Sequence, residues 1–293
     1  MKRPHLNRRT VLYGAAAATA ATALGMGASR FAQADAGHPP NLSAYDRKVL
    51  ADKPVAYWRL SHPSHGKEYD QVNGHLGTYY NVTKTTRLPN GDGGAIFNGA
   101  NGYFRVPSHK SFSITTTGRL TIEAWISPHT LEFAKDEQSG YVHFIGKGKK
   151  SGSGGDREWA GRIYSKTNAE NRPNRISGYA WNPSGGYGAG SYFQDAIRVK
   201  QFIHWAIAFD LNEGKYGTVR VYRDGKLRQG TELVYRKGTE DEVIVVPKPG
   251  TAPVQVGSRD GKSWFNGVIA KVAIYNRRLS ETQLRPHADL MHA

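Results

Sequence analysis

No cysteine occurs among the 293 residues, which excludes a disulfide framework and a thiolate metal site. Acid is also scarce: 24 Asp and Glu face 40 Lys and Arg, a formal net charge of +16. A surface of that sign concentrates anionic polymers by a salt-sensitive attraction, and it also serves solubility alone. Nucleic acid has no support as a partner beyond the charge, because the chain holds no helix-turn-helix pattern, no zinc-ligand spacing and no long Lys/Arg run. Long apolar runs are missing too. The weakly apolar stretch from Thr10 to Met26 is interrupted by Gly14, Gly25 and several Thr, and it falls short of the roughly 20 residues a bilayer span needs.

That stretch resembles part of an export leader. Arg8-Arg9 precede Thr10-Val11-Leu12, an Ala-rich run follows, and Ala32-Gln33-Ala34 has the A-x-A form of a cleavage site. Paired arginines before a mildly apolar run favour twin-arginine export from a bacterium, and therefore a secreted, extracellular protein. On this reading residues 1–34 are the leader, 35–44 a flexible lead-in and 45–293 one globular domain. Loss of Lys2, Arg3, Arg8, Arg9 and Arg30 would still leave a net charge of +11.

From Ala56 onwards, short alternating runs separated by turn residues predict an all-β sandwich. The segment from Phe202 to Lys226 is the most telling. It alternates apolar and polar residues, passes a Gly-bearing loop, alternates again and ends in Asp224-Gly225, so it reads as two paired strands leading into a tight turn. In Thr121 to Ile126, residues 122, 124 and 126 face one way while Thr121, Glu123 and Trp125 face the other, and both sides are apolar enough to be covered. Ser280 with Gln283 predicts a capped C-terminal helix that ends near Pro286 and packs at a sheet edge.

The hairpin, with His204, Ala206, Phe209-Asp210, Val219, Tyr222 and Asp224-Gly225-Lys226 in register, resembles the core hairpin of LamG-like, concanavalin A-like jelly-roll domains. Ala56–Leu60, Asp70–Gly74, Ala95–Gly99, Gly102–Pro107, Thr121–Ile126 and Val272–Ser280 resemble further family segments in the same order. The resemblance covers roughly Ala51 to His287. It implies a two-sheet antiparallel jelly-roll sandwich with a short C-terminal helix, an architecture that hosts lectins, hydrolases, lyases and adhesion modules alike.

The same resemblance implies a calcium site, held by the early loop and an acidic residue on the closing strand. Here the loop keeps Asp70 and Asn73, but the closing strand offers Ala270, which has no side-chain oxygen, and the cation Lys271. Calcium takes six to eight oxygens, so a lost or weakened site is expected, with Asp70 ordering its own turn and no other cofactor. The glucanases of this architecture carry paired carboxylates in an E-x-D-x-x-E pattern, and no strand-like segment here has one. Glu240-Asp241-Glu242 reads as a solvated turn.

Two chemistries remain for the sheet. Uronate β-elimination needs a cation to neutralise the substrate carboxylate and a Tyr or His to move protons. Tyr141 and His143 share one strand face, as do Arg162, Tyr164 and Lys166, and these residues are the candidates for a polysaccharide lyase. Gly188–Gln194 resembles the K-A-G-x-Y-x-Q strand of jelly-roll alginate lyases, although it lacks the lysine and lies mid-chain. Sugar binding needs only aromatic walls beside polar groups. Between Trp159 and Arg198 both kinds are dense, and Arg162, Tyr179, Trp181, Tyr192, Gln194 and Arg198 are the candidate platform, beside a Gly-rich loop at Gly185 to Gly190. The expectation is a secreted domain that binds an anionic polysaccharide. A uronate-polymer lyase is the alternative, and a protein-interaction or adhesion module the second. His204, Trp58 and Trp125 are core candidates.

Overall fold

The computed structural model describes residues 41–133, 140–148, 156–182, 188–237 and 241–293. The leader read at 1–34, most of the lead-in, Gly185 and Gly186 of the Gly-rich loop, and Glu240 lie outside the described residues.

Helix α1 (Ala44–Ala51) comes first, and strands β1 (Ala56–Trp58), β2 (Lys67–Tyr69), β3 (Leu76–Tyr80), β4 (Lys84–Arg87), β5 (Gly93–Asn98) and β6 (Tyr103–Val106) follow. The middle of the chain forms β7 (Arg119–Pro128), β8 (Tyr141–Gly148), β9 (Arg157–Tyr164), β10 (Ile176–Trp181), β11 (Gly188–Phe193) and β12 (Ile203–Asp210). The rest forms β13 (Thr218–Arg223), β14 (Lys226–Glu232), β15 (Val234–Lys237), β16 (Asp241–Ile244), β17 (Val254–Val256), β18 (Asn266–Tyr275) and α2 (Glu281–Leu290).

Two large antiparallel sheets face each other. The first runs β14-β13-β12-β7-β18-β5-β4, with β1 also paired to β18; the second runs β11-β10-β9-β8-β17-β6-β3-β2. Ile122, Ala124 and Ile126 point into the core between them, with Phe104, Phe144, Trp159 and Trp205 among the largest side chains there. The expected hairpin is β12–β13, and Asp224-Gly225 joins β13 to β14 with positive φ at both residues (52° and 73°), the conformation a two-residue turn requires.

The first sheet is covered on its outer face as well. Trp125, Ala206, Ala273 and Tyr275 pack there against Tyr45 and Val49 of α1 and Leu284, Ala288 and Met291 of the C-terminal region, so every residue of β12 is buried. Helix α2 therefore lies across the sheet face and not at an edge, and it runs through Pro286 to Leu290. An interior proline costs about 3 kcal/mol. Burial of Leu284, His287 and Ala288 on both sides of it sustains the helix. Helix α1 was not expected. Ser43 Oγ accepts from Asp46 N–H, and Asp46 Oδ2 accepts from Ser43 N–H, each at 3.2 Å, which closes its first turn.

The acidic segment also differs from expectation. Asp241 and Glu242 belong to β16 in a ribbon with β15, where Arg236 Nε donates to Glu242 Oε1 at 2.8 Å. Cross-strand pairing thus overrides the turn reading. Among the described residues no helix is long and apolar enough to cross a membrane.

Candidate binding groove

With the first sheet covered on both sides, the outer face of the second is the one left for a ligand. Its strands alternate at the ends, as in β6 and β11, where one residue in two is at least partly exposed. In the middle, large side chains bury one another. Tyr141 pairs with Tyr164, His143 with Arg162, and Arg162 with Ser177, while Tyr179 and Trp181 follow Ser177 at two-residue steps. Residues opposite one another in antiparallel strands share a face, so sheet register alone brings Tyr141, His143, Arg162, Tyr164, Tyr179 and Trp181 together.

Arg162 is the centre of this cluster. Its guanidinium carbon lies 3.7 Å from the Tyr179 ring centroid, 4.5 Å from Tyr141 and 5.3 Å from Tyr164. Nε donates to Ser177 Oγ at 3.4 Å, and the residue is only 9% exposed. Burial opposes its charge, but the three tyrosines offset that and hold its pKa above the usual arginine value. Arg172 pairs with Glu170, Arg236 with Glu242 and Arg259 with Asp260. Arg162 has no carboxylate partner among the described residues.

Around it opens a groove of about 590 Å³, walled by Tyr141, Tyr164, Tyr179, Trp181 and Tyr235. Arg157, Arg162, Arg172, Arg236 and Arg259 line it, against the single carboxylate Glu170 among the described lining residues. Trp181 and Tyr179 lie over Gly188 and Gly190 of β11. A Cβ at Gly188 would sit 2.5 Å from Trp181 Nε1, and one at Gly190 would sit 2.7 Å from Tyr179 Cγ. Glycine at these two positions lets the rings lie down against the strand.

His143 is almost fully buried at the base of the cluster, its ring 5.3 Å from Tyr141 and 6.3 Å from Trp181. Burial, then the nearby charges of Arg259, Arg162 and Arg157, push its pKa well below the usual histidine value, so the imidazole is neutral. Burial also raises the Tyr164 pKa, with Arg162 opposing.

The other sequence candidates fall elsewhere. Tyr192 shares the face but is covered by Arg175, 3.7 Å from its ring, and Gln194 Oε1 accepts from Arg175 Nε at 3.0 Å. Arg198 is exposed in the connection after β11 and does not line the groove. Lys166 lies beyond the end of β9, exposed, so it does not share the strand face assigned to it. Tyr235, Arg236 and Arg259 had no sequence signal, because they arrive from distant segments. His204, by contrast, is buried in the core with Nε2 2.8 Å from Glu123 Oε2.

The calcium donor set does not fit the ion. Asp70 Oδ1 accepts from the N–H groups of Val72 and Asn73, at 2.7 and 2.9 Å, and Oδ2 from that of His75, so the carboxylate closes its own turn. Asn73 Nδ2 donates to Val55 O. On the closing strand Lys271 sits in a bulge with φ 56°, and its buried ammonium donates to Asp46 Oδ1 at 2.6 Å and Asp92 Oδ2 at 2.7 Å. An internal cation fills that acidic pair.

A family model described as the concanavalin A-like lectin/glucanases superfamily matches residues 98–285. The sequence matches no curated protein. Among solved structures, domain 4 of AbnA, a GH43 extracellular arabinanase from Geobacillus stearothermophilus in complex with arabinotriose, aligns at 16% identity and TM-score 0.52 over 80% of this chain and 98% of that one. The botulinum neurotoxin serotype D ligand binding domain in complex with N-acetylneuraminic acid aligns at 12% identity and TM-score 0.54, over 83% and 52%. A Trypanosoma rangeli sialidase mutant displaying trans-sialidase activity aligns at 17% identity and TM-score 0.54, over 84% and 34%. The chain spans about half the length of the neurotoxin domains it matches. At these identities the likeness is one of fold.

Proposed function

The chain belongs to the concanavalin A-like lectin/glucanases superfamily, and we propose that it is an exported glycan-binding protein whose groove holds an anionic polysaccharide without cleaving it. The observation that carries this is Arg162, a buried cation with three tyrosine rings around it and no acidic partner among the described residues. A carboxylate or sulfate entering the groove supplies the missing counter-charge, and Tyr141, Tyr179 and Trp181 offer flat apolar walls to pyranose C–H surfaces. Four more arginines line the groove, three of them paired with Glu170, Glu242 and Asp260, and the chain's net positive charge adds long-range attraction for a polyanion. Two of the solved structures similar in fold are complexes with arabinotriose and with N-acetylneuraminic acid, which supports a saccharide as ligand.

A uronate lyase is the second reading, favoured by the convergence of Tyr141, His143, Arg162 and Tyr164 on one patch. Against it, His143 is sealed beneath the groove and Tyr164 is harder to ionise than an ordinary tyrosine, so neither is poised to take a proton.

One experiment separates the two. The protein is run against alginate, polygalacturonate, hyaluronan and a neutral glucan, by affinity electrophoresis and with continuous recording of the ultraviolet absorbance of unsaturated uronates. Retention by a charged polymer at constant absorbance, lost in Arg162→Gln, supports binding. A rising absorbance establishes the lyase, and no retention by any charged polymer rejects both.

A further inference from the structure

A second aromatic patch lies at the other end of the same sheet face. Tyr80 and Tyr103, opposite one another on β3 and β6, stack at 4.5 Å with an interplanar angle of 8°, and the Trp264 ring lies 5.9 Å from Tyr103. Tyr80 is 38% exposed, so the stacked pair presents aromatic surface to water.

Sheet register connects this patch to the groove. Arg105 pairs with Gln255, Gln255 with Gly146, Gly146 with Ala160, and Ala160 with Tyr179, so Arg105 and Tyr179 stand on one face in a single row. Tyr103 and Tyr80 flank that row two residues along their strands from Arg105 and Thr78. One loop also serves both ends. Arg259 reaches into the groove, 5.5 Å from the Trp181 ring, and five residues later Trp264 packs on Tyr103. The ground between is cationic: Arg105 is exposed, and the Arg259 side chain lies over the buried Gly146. Five strand spacings of about 4.8 Å separate β3 from β10, a run of roughly 24 Å that a polymer crosses and a single sugar does not.

We propose that Tyr80, Tyr103 and Trp264 form a second saccharide subsite, which stacks on a sugar unit of the same polyanionic chain whose carboxylate enters the groove at Arg162. The subsite presupposes that reading of the groove. It adds a length requirement: the chain recognises an extended stretch of polymer across the strands of the second sheet, not a terminal sugar.

The test is calorimetric titration of the full chain with dimers and decamers prepared from alginate, polygalacturonate and hyaluronan. For the polymer that binds, the decamer is expected to bind wild type about tenfold or more tightly than the dimer, because the second contact is made intramolecularly. Tyr80→Ala and Trp264→Ala, alone and together, remove that advantage and leave dimer affinity unchanged. Equal affinity of dimer and decamer for wild type overturns the subsite while the groove reading stands. A parallel loss of dimer and decamer affinity in the variants also overturns it, since the substitutions would then act through the groove. Binding of none of these saccharides to wild type rejects the groove, and the subsite with it. Tyr80 is exposed, so its substitution leaves folding intact, and a thermal melt of each variant verifies this.

Discussion

His287 Nδ1 lies 3.0 Å from Glu123 Oε2, and its Nε2 lies 3.0 Å from Asp52 Oδ2, so one imidazole ties helix α2 to the middle of the first sheet and to the end of α1. Glu123 also accepts from Tyr275 Oη at 2.6 Å and contacts His204. Burial works against charge at both partners. The net effect raises the His287 pKa, through Glu123 and Asp52, and depresses that of Glu123, through His287 and His204.

Stability therefore has two limits in pH. The raised histidine contributes fully below its unfolded value of about 6.5, and the contribution fades as pH climbs through the folded value. The depressed carboxylate contributes above its unfolded value of about 4.3, and is lost as pH falls through the folded one. Urea midpoints across pH should peak between those two values. His287→Gln should flatten the alkaline decline, and Glu123→Gln should cost about 3 to 5 kcal/mol by stranding its buried partners.

Three tyrosine rings offset the burial of the Arg162 charge, so Arg162→Met should cost about 1 kcal/mol in chemical unfolding and abolish retention by charged polysaccharide. Wild-type retention should weaken steadily with added salt. A variant more stable than wild type would show that burial of the charge outweighs the tyrosine ring contacts.

Gly190→Ala probes the floor of the groove. The added methyl would sit 2.2 Å from Gly178 O and 2.7 Å from Tyr179 Cγ, so ring or strand must move. The expected cost is about 1 to 3 kcal/mol, with weakened saccharide binding and a displaced Tyr179 ring resonance by NMR.

Lys271→Ala leaves the buried Asp46 carboxylate and its neighbour Asp92 without their ammonium. Denaturant unfolding should register a loss of about 3 to 5 kcal/mol, eased at acid pH where the carboxyls take up protons.

How far the sequence foretold this site follows from distance along the chain. Tyr179 and Trp181, or Arg162 and Tyr164, are two residues apart in strand-like runs, and two-residue spacing places side chains on one face before any partner strand is known. The β12–β13 hairpin was legible for the same reason, and Asp224-Gly225 marked the turn that follows it into β14. Arg259 and Tyr235 obey no such local rule. They reach the groove because β17 slots between β8 and β6 and because the β15–β16 ribbon folds back near β11, pairings of distant segments that no local pattern encodes. Arg198 misleads because residue type does not fix position: composition places it among arginines, whereas the chain has left the sheet by then. Helix α1 had a usable signal in Ser43-x-x-Asp46, but eight residues with few apolar ones give a weak periodicity, and its anchors, Tyr57 and Lys271, are remote.

Helices α1 and α2 share the covered face of the first sheet, where the Tyr45 and His287 rings lie 6.2 Å apart and the His292 ring lies 5.5 Å from Trp125. Both ends of the described chain consequently leave from the side away from the groove. A rigid partner held on the helix-covered face would therefore leave the arginine-lined surface on the opposite side uncovered.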